Sequence, residues 1–299
     1  MNEKMTATIV QELTNTTGTE SPKLEAPPNA CDCHMHVYDA ARFPMPPSKR
    51  VPPSDATAAH YRLLQKRLGT TRVVIVQPRN YATDNRVTLD AMAQLAPARG
   101  VAVVHPTVTD SELKKFDQAG IRGIRFTLGD PATAVVSIDM VEPLAKRIAD
   151  LGWHIQFNMQ GEQIVAQADL LRRLPGQLVF DHLGHPGAAA GMEHPSHGII
   201  RGLVDKGRTW VKLSGAYLNS KIGPPAYPEA TRVAQAWVEA APERLVWGSD
   251  WPHPTALGDK KPNDALLFDL LTVWAPDATT RHRILVENPD ALYQFSEAA

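Results

Sequence analysis

The segment Arg-Leu-Val-Trp-Gly-Ser-Asp-Trp-Pro-His-Pro, residues 244–254, is the part of the sequence that decides the fold. It opens with a short apolar run, Arg244–Asp250, which ends in a carboxylate. Comparable runs rich in Val and Ile precede it, and they are Ala30–Tyr38, Arg72–Gln77, Gly100–His105, Ile121–Thr127, Trp153–Met159, Gln177–His182 and Thr209–Ser214. Near-continuous apolar runs are typical of parallel strands that are covered on both faces.

The segments between these runs carry helical periodicity. In Ala58–Leu68, for example, Tyr61, Leu64 and Leu68 fall on one helical face, and Val141–Leu151 has a similar pattern. Alternating strands and helices indicate βαβ units, with an open doubly wound sheet as the competing arrangement. Eight units in 299 residues favour closure into an α/β protein of the (β/α)8 TIM barrel type, which takes about 250 residues.

The domain boundaries follow from the composition of the N-terminus. Residues 1–26, rich in Thr, Glu and Pro, are interpreted as a flexible N-terminal leader, and residues 27–299 as a single catalytic domain. The proline-rich stretch 44–53 lies inside the first connection after a strand, so we interpret it as a stiff loop at the barrel mouth.

The overall composition excludes several classes of partner. Apolar residues make up 43% and charged residues 21% of the chain, and the net charge is -1. Without a basic stripe, nucleic acid is not expected as a partner. No apolar run approaches the roughly 18–20 residues that span a bilayer, and residues 1–29 lack the apolar core of a secretory signal. We therefore expect a cytoplasmic protein without membrane contact, and a homo-oligomer remains open.

Residues suited to metal or proton chemistry follow the predicted strands at their carboxyl ends, where barrels bind ligands. His34 and His36 are two apart on strand one, so both can face the interior. His182 ends strand six, and Asp181 before it is expected to face away. Asp250 ends strand eight, where a buried carboxylate needs a metal, imidazole or backbone partner.

The same end of the predicted barrel carries further polar residues. Arg125 on strand four is the candidate anchor for an anionic group, because its planar fork matches a carboxylate. The other candidate substrate-binding residues are Gln77, Arg79, Asn158, Lys212, Ser214, Tyr217 and His253. For each of these a purely structural role is the alternative. A phosphate-binding loop, a Gly-x-Ser-x-Gly elbow and a His-Glu-x-x-His helix do not occur in the sequence.

Taken together, these motifs resemble the lactonase branch of the amidohydrolase superfamily. The residues that carry the resemblance lie in Asp32–His36, Val76–Gln77, Gly120–Phe126, Asp181–Gly184, Lys212–Gly215 and Trp247–Pro254, and the likeness extends over roughly residues 27–295. This branch includes 2-pyrone-4,6-dicarboxylate lactonases and 4-sulfomuconolactone hydrolases. The resemblance implies a distorted (β/α)8 barrel and a small anionic lactone, muconolactone-like, pyrone-like or derived from a sugar acid, as the substrate.

The resemblance also implies the roles of the central residues. Asp250 is expected to act as the general base that activates water. His34, His36 and His182 are expected to polarise the lactone carbonyl, either directly or through one divalent metal such as zinc. If a metal is present, these three histidines and Asp250 are its expected ligands, and metal-independent catalysis remains the alternative.

Two departures from the superfamily pattern limit this expectation. Where many members place a lysine after strand four and a histidine after strand five, this sequence has Arg125–Thr127 and Gln156–Asn158, which disfavours a binuclear metal site. Leu128–Asp130 stands where pyrone-dicarboxylate lactonases are expected to carry a second arginine. The alternatives are a lactone isomerase of the galactarolactone type, a superfamily decarboxylase and a non-catalytic binding barrel. Asp250 favours hydrolysis, because asparagine is expected at that place in the isomerases.

Overall fold

A computed structural model describes residues 13–47, 52–130, 134–187, 189–256 and 260–295. Its centre is one parallel sheet whose eight strands are ordered as in the sequence, β1 to β8. The strands are β1 Cys31–Met35, β2 Arg72–Val76, β3 Ala98–Ala102, β4 Ile121–Thr127, β5 His154–Asn158, β6 Gln177–Phe180, β7 Thr209–Leu213 and β8 Leu245–Trp247. The predicted (β/α)8 barrel is therefore confirmed, although most predicted runs extend past the strand ends.

Helices surround the sheet and connect its strands. They are α1 Ala58–Leu68, α2 Arg86–Gln94, α3 Asp110–Gln118, α4 Val141–Ile148, α5 Gly161–Ala166, α6 Ala168–Arg173, α7 Pro195–Val204, α8 Pro228–Ala240, α9 Asp264–Trp274, α10 Ala278–His282 and α11 Asn288–Tyr293. The helix predicted over Ala58–Leu68 is confirmed, and its first turn is capped by the Thr57 side chain. None of the helices in the described ranges is both long and apolar enough to cross a membrane.

The barrel has two layers of core. Between the strands and the helices lies the larger cluster, with Phe126, Phe157 and Trp237 among its fully buried members. Inside the ring of strands lies a smaller one, which includes Cys33, Val76 and Val246. The side chains alternate between the two layers on β2, β6 and β8. The interior is therefore filled with side chains, and a ligand can enter at the ends of the strands.

The junction between β8 and β1 brings two predicted site residues together. The amide of Asp250 donates to the carbonyl of His34 at 2.8 Å, and the amide of His36 donates to the carbonyl of Trp251 at 2.8 Å. A Cβ placed on Gly248 would lie 2.5 Å from Cβ of His34, so only glycine fits there. This close approach places the end of β1 against the end of β8.

The N-terminal segment lies against the barrel mouth as far as the structure describes it. The Thr14 hydroxyl and the Asn15 amide group donate to the carbonyl of Asp55, at 2.6 and 3.1 Å. The amide of Thr17 donates to the carbonyl of Pro262 at 3.0 Å. Residues 13–17 thus link the loop after β1 to the loop after β8. The leader predicted over residues 1–26 is described from residue 13, and residues 1–12 lie outside the described ranges.

Candidate active site

A cavity of about 310 Å³ opens at the carboxyl end of the barrel. The loops after the strands form its walls, including Pro53 of the proline-rich stretch and Pro254 after β8. The predicted site residues that line it are His36, Arg79, Arg125, Asn158, His182 and Asp250. The structure thus brings together residues that are more than 200 positions apart in the sequence.

At the floor of the cavity, three imidazoles surround one carboxylate oxygen. Oδ1 of Asp250 lies 3.5 Å from Nε2 of His34, 3.5 Å from Nε2 of His36 and 3.9 Å from Nε2 of His182. The two Nε2 atoms of His34 and His36 are 3.3 Å apart. All four residues are at most 3% exposed. The structure therefore brings the four residues predicted as the catalytic constellation to one point.

Asp250 is held as an anion by these neighbours. Burial by itself would raise the pKa of its carboxyl group, but the imidazoles of His182, His36 and His34 outweigh that effect and hold the pKa well below its usual range. Its second oxygen accepts a hydrogen bond of 2.6 Å from the Tyr217 hydroxyl. An ionised carboxylate at the floor of a cavity can accept a proton from water.

The histidines are oriented through their other ring nitrogens. Nδ1 of His36 lies 2.7 Å from the carbonyl oxygen of Val76, and Nδ1 of His182 lies 2.9 Å from Oγ of Ser214. A carbonyl can only accept, so Nδ1 of His36 carries a proton and donates it to Val76, while its Nε2 faces Asp250. Burial holds the pKa of His34 well below its usual range and also lowers that of His182.

Three of these four groups fit one divalent metal ion. Zn²⁺ with bonds of about 2.0–2.1 Å in a tetrahedron needs ligand atoms roughly 3.3 Å apart. The separations of 3.3–3.5 Å among Nε2 of His34, Nε2 of His36 and Oδ1 of Asp250 match that requirement, and Nε2 of His182 lies 3.9 Å from the same Oδ1. Metal-bound histidines also commonly donate their second N–H to an oxygen, as His36 does to Val76. His34, His36 and Asp250 form one candidate ligand group, and His34, Asp181 and His182 form a second one.

The prediction that Asp181 faces away from the interior is wrong. Its carboxylate is fully buried beneath the cavity, with Oδ2 2.9 Å from Nε of Arg125 and Oδ1 3.2 Å from Nδ1 of His34. Val179 belongs to the inner cluster, and Asp181, two residues on and still extended, points to the same side. The backbone leaves strand geometry only at His182, whose φ of 50° turns its side chain toward the site as well. Both residues can therefore reach the site.

The backbone after β6 adopts an uncommon conformation. His182, Leu183, Gly184 and His185 all have positive φ, at 50°, 63°, 82° and 46°. Such conformations cost non-glycine residues roughly 1–2 kcal/mol each and persist where their surroundings hold them. The Asn219 amide donates to the carbonyl of His182 at 3.0 Å and supports this turn. This turn places His182 and His185 together at the cavity wall, with ring centroids 5.0 Å apart.

Several predicted substrate-binding residues contact other site residues rather than the cavity. Nζ of Lys212 donates to the carbonyl of Cys33 at 2.8 Å and lies 3.4 Å from Nδ1 of His34. Ser214 contacts His182, and Tyr217 contacts Asp250, as described above. Burial lowers the pKa of Lys212 to about 8. Lys212, Ser214 and Tyr217 therefore support the residues of the central cluster and do not line the cavity.

Two further predicted residues lie outside the cavity. Gln77 is fully buried, and its amide group donates to the carbonyls of Ala82 and Asp84 at 3.2 and 2.8 Å. His253 is also fully buried, and its Nε2 lies 3.0 Å from Oδ2 of Asp264. The structure does not bring either side chain to the cavity wall, and both hold loops that form the site.

Some cavity residues were not predicted as site residues. They include Tyr38, Asn80, Asp130, Gln160 and His185. All lie on connections after strands, where no periodicity fixes the direction of a side chain. For His185 the sequence offered one signal, since it follows His182 by three positions. Without the left-handed turn, that spacing does not place both rings on one side.

Comparison with known proteins agrees with this geometry. Residues 31–295 match the amidohydrolase family model. A 2-pyrone-4,6-dicarboxylate hydrolase of Comamonas testosteroni is 34% identical, over 91% of this chain and 92% of that protein. A 4-sulfomuconolactone hydrolase of Rhizobium radiobacter is 33% identical, over 89% and 90% of the two chains. A D-galactarolactone isomerase of Agrobacterium fabrum is 30% identical, over 96% and 97%. This chain therefore belongs to the amidohydrolase family and is an enzyme.

Proposed function

We propose that the protein hydrolyses a small anionic lactone in the cavity at the barrel mouth. The observation that carries this proposal is the convergence of three imidazoles on Oδ1 of Asp250, beside a cavity lined by Arg79 and Arg125. A carboxylate held as an anion supplies the base, the imidazoles supply polar contacts to the carbonyl, and the arginines supply charge for the substrate's anionic group. The names of the similar hydrolases support the same substrate class.

The reaction needs few groups beyond those at the cavity floor. The Asp250 carboxylate accepts a proton from water as its oxygen attacks the lactone carbonyl carbon. Negative charge then develops on the carbonyl oxygen, where imidazole N–H groups, that of His182 at the cavity wall among them, donate to it and stabilise it. When the ring C–O bond breaks, the proton returns from Asp250 to the departing ring oxygen. The product is the open-chain hydroxy acid, and Asp250 regains its charge.

A divalent metal has a place in this proposal. His34, His36, His182 and Asp250 would hold it, and when bound it would polarise the carbonyl as a Lewis acid. Tyr217 then keeps the free oxygen of Asp250 oriented through its hydrogen bond of 2.6 Å. Val76 and Ser214 keep the rings of His36 and His182 turned toward the same point.

The activity is tested with a panel of anionic lactones. We expect acid release, detected with a pH indicator, from at least one monoanionic or dianionic lactone. The absence of acid release from every lactone of the panel would contradict the proposal. NMR of each substrate separates hydrolysis from isomerisation. Ring opening supports hydrolysis, whereas exchange of ring size supports the isomerase, which the similarity to a D-galactarolactone isomerase makes the second candidate.

Zinc is expected to raise the melting temperature of the chelator-treated protein. A ligand that binds only the folded state at 100 times its Kd adds about 2.7 kcal/mol to the free energy of unfolding. His36→Asn should abolish the rise, because it removes one of the four converging atoms. His105→Asn, at an exposed position on the loop after β3, is the matched control. An equal rise in the His36 variant would exclude the proposed metal ligands.

Arg125→Met is expected to raise KM far more than it lowers kcat. The guanidinium lines the cavity, and a hydrogen bond to a charged group is worth about 1.5–3 kcal/mol, which corresponds to roughly 10- to 150-fold in KM. Arg232→Met, on the exposed face of α8, controls for the loss of one arginine charge. An unchanged KM in the Arg125 variant would remove this residue from the substrate site.

A further inference from the structure

Asp181 contacts both parts of the proposed active site. Through Oδ2 it accepts a hydrogen bond of 2.9 Å from Nε of Arg125, which lines the cavity. Through Oδ1 it lies 3.2 Å from Nδ1 of His34, whose Nε2 belongs to the central cluster. One rigid carboxylate therefore spans the distance between the substrate's anchor and the reacting centre.

The surroundings of Asp181 favour a fixed position for its carboxylate. The side chain is fully buried, and Nζ of Lys212 lies 4.0 Å from Oδ1. Lys212 is itself held by the carbonyl of Cys33 on β1. A buried carboxylate is stable only when such partners surround it. The aspartate side chain rotates about only two bonds, so it has little freedom to move among these partners.

We propose that Asp181 is a positioning residue that sets the placement of Arg125 relative to His34. The inference rests on the proposed lactone hydrolysis, and it assigns to Asp181 a role that involves no contact with the substrate. The hydrogen bond from its Nε to Asp181 fixes the plane of the Arg125 guanidinium. In that plane the guanidinium contacts the substrate's anionic group. Oδ1, 3.2 Å from Nδ1, holds a negative charge against the His34 ring on the side opposite Nε2, which faces Asp250.

Such a link matters because rates depend steeply on alignment. A misplacement of about 1 Å between a bound substrate and the catalytic groups can cost on the order of 100-fold in rate. The anchor and the reacting centre stand on different strands, β4 and β1. Asp181, after β6, is the group that contacts both, so its loss is expected to disturb substrate binding and turnover at once.

The test is a double-mutant cycle between Asp181→Asn and Arg125→Met, with kcat and KM measured on a lactone that the wild type hydrolyses. We expect Asp181→Asn alone to raise KM and to lower kcat by at least about 10-fold. In the Arg125→Met background it should still lower kcat but leave KM unchanged, because the anchor through which it acts is gone. Asp150→Asn, at an exposed position before β5, should change neither parameter.

Two results would overturn the inference. If the KM effects of the two substitutions multiply in the double variant, Asp181 does not act through Arg125. If kcat is unchanged in Asp181→Asn, the effect on His34 is excluded. If the asparagine variant does not fold, Asp181→Glu keeps the buried anion and takes its place in the cycle. A wild type inactive on every lactone refutes the proposed function, whereas an active wild type with a failed cycle refutes only the role of Asp181.

Discussion

Replacing Asp250 with asparagine is expected to lower kcat by about 10²- to 10⁴-fold, which is the usual contribution of a general base. Asparagine has nearly the same shape as aspartate, and its amide oxygen can still accept the Tyr217 hydrogen bond that Oδ2 receives at 2.6 Å. Its amide group cannot accept a proton from water at neutral pH. Turnover of the lactone should therefore fall much more than the affinity for the hydroxy-acid product.

The measurement combines steady-state kinetics with product binding by calorimetry. Because Asp250 is also a proposed metal ligand, the zinc content of the variant is measured beside its activity. The control is Asp150→Asn, which removes one exposed carboxylate before β5. Full activity in the Asp250 variant would reject the assignment of this residue as the base, whatever its metal content.

Gly248→Ala is expected to have the largest effect on stability. The added Cβ would lie 2.5 Å from Cβ and 2.8 Å from the backbone nitrogen of His34, so no rotation of a side chain can relieve the contact. Overpacking of this kind typically costs about 1–3 kcal/mol, and occasionally more. The barrel ends at β1 and β8 must separate, which also displaces His34 from Asp250. We expect a lower melting temperature together with a loss of activity.

Gly202→Ala is the matched control for that substitution. Gly202 lies within α7, it is exposed, and a Cβ there would meet no atom within 4 Å. Alanine should leave stability unchanged or raise it by about 0.4–1 kcal/mol. Equal melting temperatures for the two variants, measured by calorimetry or circular dichroism, would show that the approach of β8 to β1 is looser than the structure has it.

The barrel could be predicted because each strand repeats the same local pattern. Runs rich in Val and Ile alternate with amphipathic helices such as Ala58–Leu68, and the number of units leaves little choice of topology. The strand ends were harder to predict. The run Arg244–Asp250 continues past Trp247, where β8 ends: the amide of Gly248 still donates to Leu213 on β7, but that of Asp250 donates to His34 on β1.

The central cluster could be predicted from its place at the strand ends, but its support could not. His34, His36, His182 and Asp250 all follow strands, so the barrel itself brings them together. The inward direction of Asp181 follows the alternation that places Val179 inside, whereas that of His182 depends on positive φ angles, which His182, Leu183 and His185 give no reason to expect. Gln77 shows the opposite case, since a polar residue at a strand end bonds a neighbouring loop instead of the cavity.

The hydrogen bonds of Thr14, Asn15 and Thr17 have a consequence for how the entrance of the cavity can change. Asp55 and Pro262 belong to loops that flank Pro53 and Pro254 at the rim, and a stretch of chain before the first strand joins them. Substrate admission can therefore be altered by substitutions, deletions or fused tags at the amino terminus, although none of those residues lies in the cavity wall.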